Sequence, residues 1–417
     1  MALSRIRRVL NNRIAQNAAA LYAVQILSYI LPLISLPYLA RVLEPHHFGL
    51  VAFAQSFANW LTVIGEYGFN YSATRSIARL RDRKDAVAGI VTSIMGAKLL
   101  LVLGMVAMTL IAWTAIESFR AHPDLIFWAF MIAFAAAFSP LWYFQAIERT
   151  WVVAVLEGFI RLGHLIGIFL FVRGPEDAWI ALAIHAIAFS VATTIELWLM
   201  YRKVPFMWPT LKMSWVALRV SWSLFLARAS DSFYTSANGV ILGLLTTPIQ
   251  VGFFESGNRL VRPGLAILWP LAQAIYPRIN HLIKRDADAA MRLSRLALWA
   301  TVGLGLVGGV VLAALAPVLI ILLFGEQYKA SIPVLQVLAL LLPIVGFGYS
   351  LSMQYMFPRQ MDREVLYSVL SAGVLNLVLA VILAPRMGAL GMAIAVVSAE
   401  AWAAGFRFVV LKLRKIL

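Results

Sequence analysis

Glu157, Arg161 and His164 follow one another at intervals of four and three within VAVLEGFIRLGHLIGIFLF, residues 153–171, a stretch otherwise soluble in hydrocarbon. On a helix these intervals bring all three side chains to one face. Glu255, Arg259 and Arg262 repeat the intervals a hundred residues on, and Arg228 and Asp231 stand three apart. Lys98 and Glu400 complete a set of nine Asp, Glu, Lys and Arg residues deep inside apolar runs. Each would cost about 2.5–3.5 kcal/mol at the centre of a bilayer. Nine facing lipid would cost on the order of 25 kcal/mol, more than a fold's usual net stability. They must face each other or a wet interior. Two chemistries remain open: a polar stripe lining a substrate path, or ion pairs locking helices together, as Glu157–Arg161 and Arg228–Asp231 could. Arg262 has no in-helix acid left once Glu255 takes Arg259. His164 is either a proton carrier or a packed polar residue, and His185 is a weaker candidate. Glu66, Glu196 and Arg407 lie near the ends of runs, where they could snorkel to water.

The elements that hold these residues are set by composition. Of 417 residues 62% are hydrophobic and 13% charged, against about a quarter charged in a soluble domain. A membrane helix needs about 20 apolar residues, and the chain offers twelve such runs: 15–39, 48–70, 88–114, 125–146, 152–172, 178–200, 219–245, 250–277, 293–323, 332–356, 364–384 and 389–411. They are far too long for barrel strands. The net charge of +16 does not point to nucleic acid, because the cations gather in the gaps between runs. With the N-terminus inside, 24 of the 35 Lys and Arg fall on the inner side, 5 on the outer side and 6 within runs. The positive-inside rule then predicts twelve spans with both termini cytoplasmic and only short outer loops. The run after the basic patch Arg5, Arg7, Arg8 and Arg13 reads as a retained first span, not a cleaved signal.

The expected organisation is an N-terminal six-helix lobe at 1–200, a cytoplasmic linker at 201–218 and a C-terminal six-helix lobe at 219–417. An internal echo supports it. Pro45 and Gly49 lie 203 positions before Pro248 and Gly252, and the same offset carries Arg75 to Arg278 and Asp85 to Asp288. A parallel six-plus-six repeat would produce this. Prolines at 32, 37, 140, 263, 270, 277 and 343 fall within runs and are expected to bend their helices, although membrane helices also tolerate proline. The chain has no cysteine, which removes disulfides, thiolate metal sites and thiol nucleophiles. It has no phosphate-loop signature, no paired-histidine metal spacing and no nucleophile elbow. Transport without covalent chemistry is the reading left, with no enzyme activity and no cofactor.

ILPLISLPYLARVLEPHHFGLVAFAQSF, EYGFNYSATRSIAR, SPLWYFQAIER and VGFFESGNRLVRPGLAILWPLAQAIYPRI resemble the Wzx-type oligosaccharide flippases, translocases of O-antigen and capsule repeat units in the multidrug/oligosaccharidyl-lipid/polysaccharide exporter superfamily. In that family the position of Glu255 usually holds Ala or Ser and that of Arg259 a Lys. The resemblance implies an all-α, MATE-like, twelve-helix protein of the bacterial inner membrane. It implies a substrate of undecaprenyl-pyrophosphate-linked oligosaccharide, carried from the cytoplasmic to the periplasmic leaflet by alternating access. The polymerase and chain-length regulator of the same pathway are implied partners. On that pattern Arg161, Arg228, Arg259 and Arg262, with Lys98, become contacts for pyrophosphate or acidic sugar, which suits the bidentate geometry of guanidinium. Glu157, Asp231, Glu255, Glu400 and His164 become candidates for coupling to a proton or sodium gradient. The rivals are a drug or cation antiporter or a lipid II flippase of the same superfamily, a membrane polysaccharide polymerase or glycosyltransferase, and a scaffold. Five internal cations disfavour a cation exporter, and the lack of a large outer loop disfavours a polymerase.

Overall fold

A computed structural model describes residues 13–416 apart from 236 and 284, and side chains from residue 31 onward except 32, 33, 227, 228 and 230–235. Among the described residues every regular element is helical. Two compact units emerge. One comprises residues up to Leu43 and Ala54–Ser232; the other comprises Glu44–Phe53 and Phe233–Leu417. Among the described residues, eight helical stretches are long and apolar enough to cross a bilayer.

Helix α1 (Arg13–Glu66) belongs to the first unit except for Glu44–Phe53, and it is broken at Glu44, whose φ of 58° is left-handed. This break falls between the runs expected at 15–39 and 48–70. There follow α2 (Phe69–Leu80), α3 (Lys84–Ala115), the short α4 (Glu117–Ala121), α5 (Pro123–Phe138), α6 (Leu141–Ala146), α7 (Thr150–Phe171), α8 (Ala178–Tyr201) and α9 (Leu211–Thr235). Pro140 separates α5 from α6, as its missing N–H requires. Helix α9 begins at Leu211, ahead of the expected 219. Helix α2 occupies a segment expected only as an inner loop. It buries Phe69, Ser72, Ala73 and Ile77 on one face. Helices α5 and α8 pack along each other, as do α7 and α8, and α3 packs on α5.

The second unit holds α10 (Ala237–Leu245), α11 (Pro248–Leu282), α12 (Ala287–Phe324), α13 (Ser331–Ala339), α14 (Leu341–Ser350) and α15 (Asp362–Leu413). Gly388, at φ 57° and ψ −133°, breaks α15 between the runs expected at 364–384 and 389–411. Helix α13 gives way to α14 at Leu340, three residues before Pro343, with the backbone still right-handed helical, whereas α11 runs as helix through Pro263, Pro270 and Pro277. The echoed residues pack on each other: a Cβ on Gly49 would overlap the Pro248 carbonyl oxygen, and one on Gly252 would stand 2.7 Å from that of Pro45. The contact is therefore reciprocal, and it needs glycine on both sides.

The interior is small and the exterior large. Helix α15 buries Ala372, Asn376, Ala380 and Ala384 at every fourth position, while Val307, Val310, Val318 and Leu322 of α12 are exposed. In a bilayer helices gain from close approach, not from hiding leucine, which lipid solvates equally well. This distribution is that of a membrane protein.

Candidate functional site

Among the internal charges of the first unit, the stripe on α7 forms as its spacing predicts. Arg161 Nη2 lies 3.5 Å from Glu157 Oε2, and both side chains are part-exposed, Arg161 at 39%. Arg161 Nε is buried and has no hydrogen-bond partner among the described residues. One turn on, the ring centroid of His164 lies 5.1 Å from that of His185 on α8. The sequence places His185 in the middle of an apolar run but gives no reason to join it to His164.

Lys98 has a different setting. Its side chain is 1% exposed. The ammonium donates to the Ala137 carbonyl and, at 3.3 Å, to that of Ser139, and it stands 5.8 Å from the Trp142 ring. These carbonyls close α5 where Pro140 stops it, and a helix end leaves such groups without partners. Thr193 Oγ1 takes the Ala135 carbonyl beside them at 3.1 Å. Ser139 Oγ in turn donates to Glu196 Oε2 at 2.9 Å. Glu196 is thus buried and bonded, which corrects the expectation that it snorkels. Arg407 is corrected likewise: in the second unit its Nε donates to Ser368 Oγ at 2.8 Å and its Nη1 to the Gly348 carbonyl at 3.1 Å. Both residues lie near run ends in sequence but point along the packed face of their helices.

In the second unit Arg259 Nε lies 3.6 Å from Glu255 Oε2. The Asn258 Nδ2 amide is 3.4 Å from each oxygen of the same carboxylate. The Arg259 guanidinium stands 5.6 Å from the Phe48 ring centroid, a cation–π contact that the sequence did not announce. Arg262, one turn on, is exposed, with no ion pair among the described residues. Glu400 is half-buried on α15. The side chains of Arg228 and Asp231 lie outside the described residues. Tyr328, between α12 and α13, closes an aromatic cluster with Phe48, Phe253 and Phe324, and burial pushes its hydroxyl well above the usual phenol range.

Among the described residues, then, charged stripes stand on otherwise apolar helices of an all-helical frame. Residues 14–283 match the model of a family described as "Polysaccharide biosynthesis protein". The chain belongs to that family. Among curated proteins it is similar to a "Putative O-antigen transporter" of Escherichia coli (strain K12), 29% identical over 395 residues that cover 92% of this chain and 93% of that one. A "Putative O-antigen transporter" of Shigella dysenteriae is 26% identical over 388 residues, covering 92% and 96%. Among solved structures it is similar to an inward-facing multidrug resistance MATE family transporter of the MOP superfamily, with TM-score 0.70 and 18% identity over 92% of this chain and 94% of that one. The lipid II flippase MurJ in an inward closed conformation gives TM-score 0.73 and 14% identity, covering 95% and 87%. At these identities the structural likeness establishes a MATE-like fold. The resemblance read from the sequence motifs is upheld, and the relatives are transporters and flippases, not catalysts of a reaction.

Proposed function

We propose that this protein is a flippase that carries a short oligosaccharide on undecaprenyl pyrophosphate from the cytoplasmic to the periplasmic leaflet of a bacterial inner membrane. It does so by alternating access, through twelve spans with both termini cytoplasmic, driven by a proton or sodium gradient. The observation that carries the reading is Arg262: an exposed guanidinium on a helix whose only nearby in-helix acid already serves Arg259. Arg161 supports it, since a single 3.5 Å contact to Glu157 leaves most of its five donors unused. Guanidinium stays charged at any cellular pH and grips phosphate with two parallel bonds. Arg228 joins them by its place on α9. Lys98 is enclosed by α5 carbonyls, so its contribution to substrate is indirect: it holds the end of α5 in place.

Glu157 and Glu255 each sit on an arginine that would meet the headgroup. Protonation of either would release that arginine for the substrate, which gives a route from an ion gradient to binding. Glu400, Asp231 and His164 are the other candidates. Polymerase and chain-length regulator are the partners that would consume the delivered unit.

The test is flipping of a fluorescent undecaprenyl-pyrophosphate oligosaccharide in proteoliposomes, with and without imposed proton and sodium gradients. Alanine at Arg161, Arg259 or Arg262 should slow flipping by about tenfold or more, the worth of one charge-assisted hydrogen bond. Movement of a cationic dye without movement of the lipid-linked sugar would overturn the reading in favour of a cation antiporter. Flipping that ignores both gradients would remove the coupling.

A further inference from the structure

EYGFNYSATR and SPLWYFQAIER lie apart in sequence, yet the fold of the first unit joins them. Helices α2 and α6 pack on each other. The turn that starts α2 has two left-handed residues, Tyr67 at φ 45° and Gly68 at φ 73°. Such a backbone is costly for tyrosine and persists only where the surroundings impose it. Here the Tyr67 ring stacks on Phe225 of α9, with centroids 4.4 Å apart and planes 11° apart. A Cβ on Gly68 would meet the Phe225 nitrogen at 3.0 Å. The turn is clamped, and it fixes where α2 points.

Helix α2 buries its apolar face, so its other face looks outward. Helix α6 buries Trp142, Tyr143, Phe144 and Ala146 and leaves Gln145 at the rim. Between them is a cleft of about 450 Å³, lined by Glu66, Asn70, Tyr71, Thr74, Arg75 and Gln145 among others. Thr74 Oγ1 lies 2.7 Å from the Asn70 carbonyl, 3.0 Å from that of Trp142 and 3.4 Å from Gln145 Oε1, so its one hydrogen goes to the main chain and the Gln145 carboxamide stays available. The Asn70 carboxamide, the Tyr71 hydroxyl and the Arg75 guanidinium have no hydrogen-bond partner among the described residues. None of these residues belongs to the charged stripes on α7 and α11.

We propose that this cleft is a carbohydrate-recognition site for one or two sugar residues of the transported head. The chemistry favours it over an anion site. The lining holds one guanidinium, Arg75, and one carboxylate, Glu66, so the net charge is close to zero and a pyrophosphate gains little. Two carboxamides and a phenol instead offer donors and acceptors at close spacing, and the Thr74 oxygen one more acceptor, the match for vicinal sugar hydroxyls, each both donor and acceptor. The half-exposed Tyr71 ring adds an apolar face of the kind that covers a pyranose. The volume falls in the usual range of small-molecule sites, about 300–1,000 Å³. The inference rests on the transport reading only for the source of the sugar: arginine stripes grip the carrier, and this cleft reads what it carries.

Saturation-transfer NMR on the full-length protein in nanodiscs tests it, with galactose, mannose, rhamnose and N-acetylglucosamine as separate probes at millimolar concentration. At least one should receive saturation. In the double variant Asn70→Ala/Gln145→Ala its binding should weaken by about tenfold, the loss of two hydrogen bonds. Tyr71→Phe, which keeps the ring, should weaken it less. Gly104→Ala, at a position with open space around it, should leave binding unchanged, and equal melting temperatures would show that all variants fold. No transfer to any of the four sugars, or equal transfer in the double variant, would overturn the proposal. Sugar binding by a protein that flips no lipid-linked carrier would sink the transport reading and leave this one standing. Flipping by a protein whose cleft binds no sugar would do the reverse.

Discussion

Lys98 and Arg262 are both cations in long helices of a membrane protein, but their surroundings assign them different work. Lys98 is enclosed, with its ammonium on the Ala137 and Ser139 carbonyls. Lys98→Met keeps the volume and removes the donors, leaving those carbonyls buried and unpaired. A loss of about 1–3 kcal/mol is expected per orphaned group, visible as a lower melting temperature in detergent. Arg262→Ala should leave the melting temperature near that of the parent, since exposed substitutions shift stability by about 0.5 kcal/mol at most, while flipping falls. Arg262→Lys should restore the charge but not the flipping rate if the grip is bidentate. Equal melting losses in K98M and R262A would show that both are structural. The in-helix pairs Glu157–Arg161 and Glu255–Arg259 were legible because four residues is a fixed geometry. The partners of Lys98 were not, because they lie some forty residues away at a helix end that exists only through Pro140.

At the scale of elements, the apolar runs were legible for a simple reason: lipid demands internal hydrogen bonding, so length and hydropathy leave helix as the one answer. Hydropathy does not mark helix α2, because FNYSATRSIARL is amphipathic and not continuously apolar. Its signal was present, as Phe69, Ala73 and Ile77 recur every four residues. The reciprocal contact of Gly49 and Gly252 was legible only as an echo of proline and glycine; that the two copies touch needed the fold. It makes a sharp prediction. Gly49→Ala drives a methyl group into the Pro248 carbonyl oxygen, a backbone atom that cannot rotate away. Overpacking of this kind costs about 1–3 kcal/mol, so the variant should melt earlier and yield less folded protein by size-exclusion. Gly104→Ala meets nothing within 4 Å and should be neutral or gain about 0.5–1 kcal/mol from helix propensity. If both variants behave alike, the glycines are not there for close approach.

For the whole molecule the proposed orientation in the membrane can be tested by labelling, and the chain suits that test because it has no cysteine. Across the twelve proposed spans, 24 cations fall on one side and 5 on the other. Moving a loop with several Lys and Arg across a bilayer is what the insertion machinery resists, so the asymmetry sets orientation without reference to packing. The proposed orientation predicts residues 120 and 329 outside and residues 285 and 363 inside. All four are exposed arginine or lysine positions, where cysteine disturbs no core. Single variants Arg120→Cys, Lys329→Cys, Arg285→Cys and Arg363→Cys should divide cleanly. A membrane-impermeant maleimide added to spheroplasts should label the first two, and label the second two only after permeabilisation. Because 120 belongs to the first unit and 329 to the second, labelling of both from outside also tests the parallel repeat, in which six spans return each unit to the same orientation. An odd number of spans before α10 would instead put 120 and 329 on opposite faces. The internal echo would then relate inverted halves, and the charge count would be describing something other than orientation.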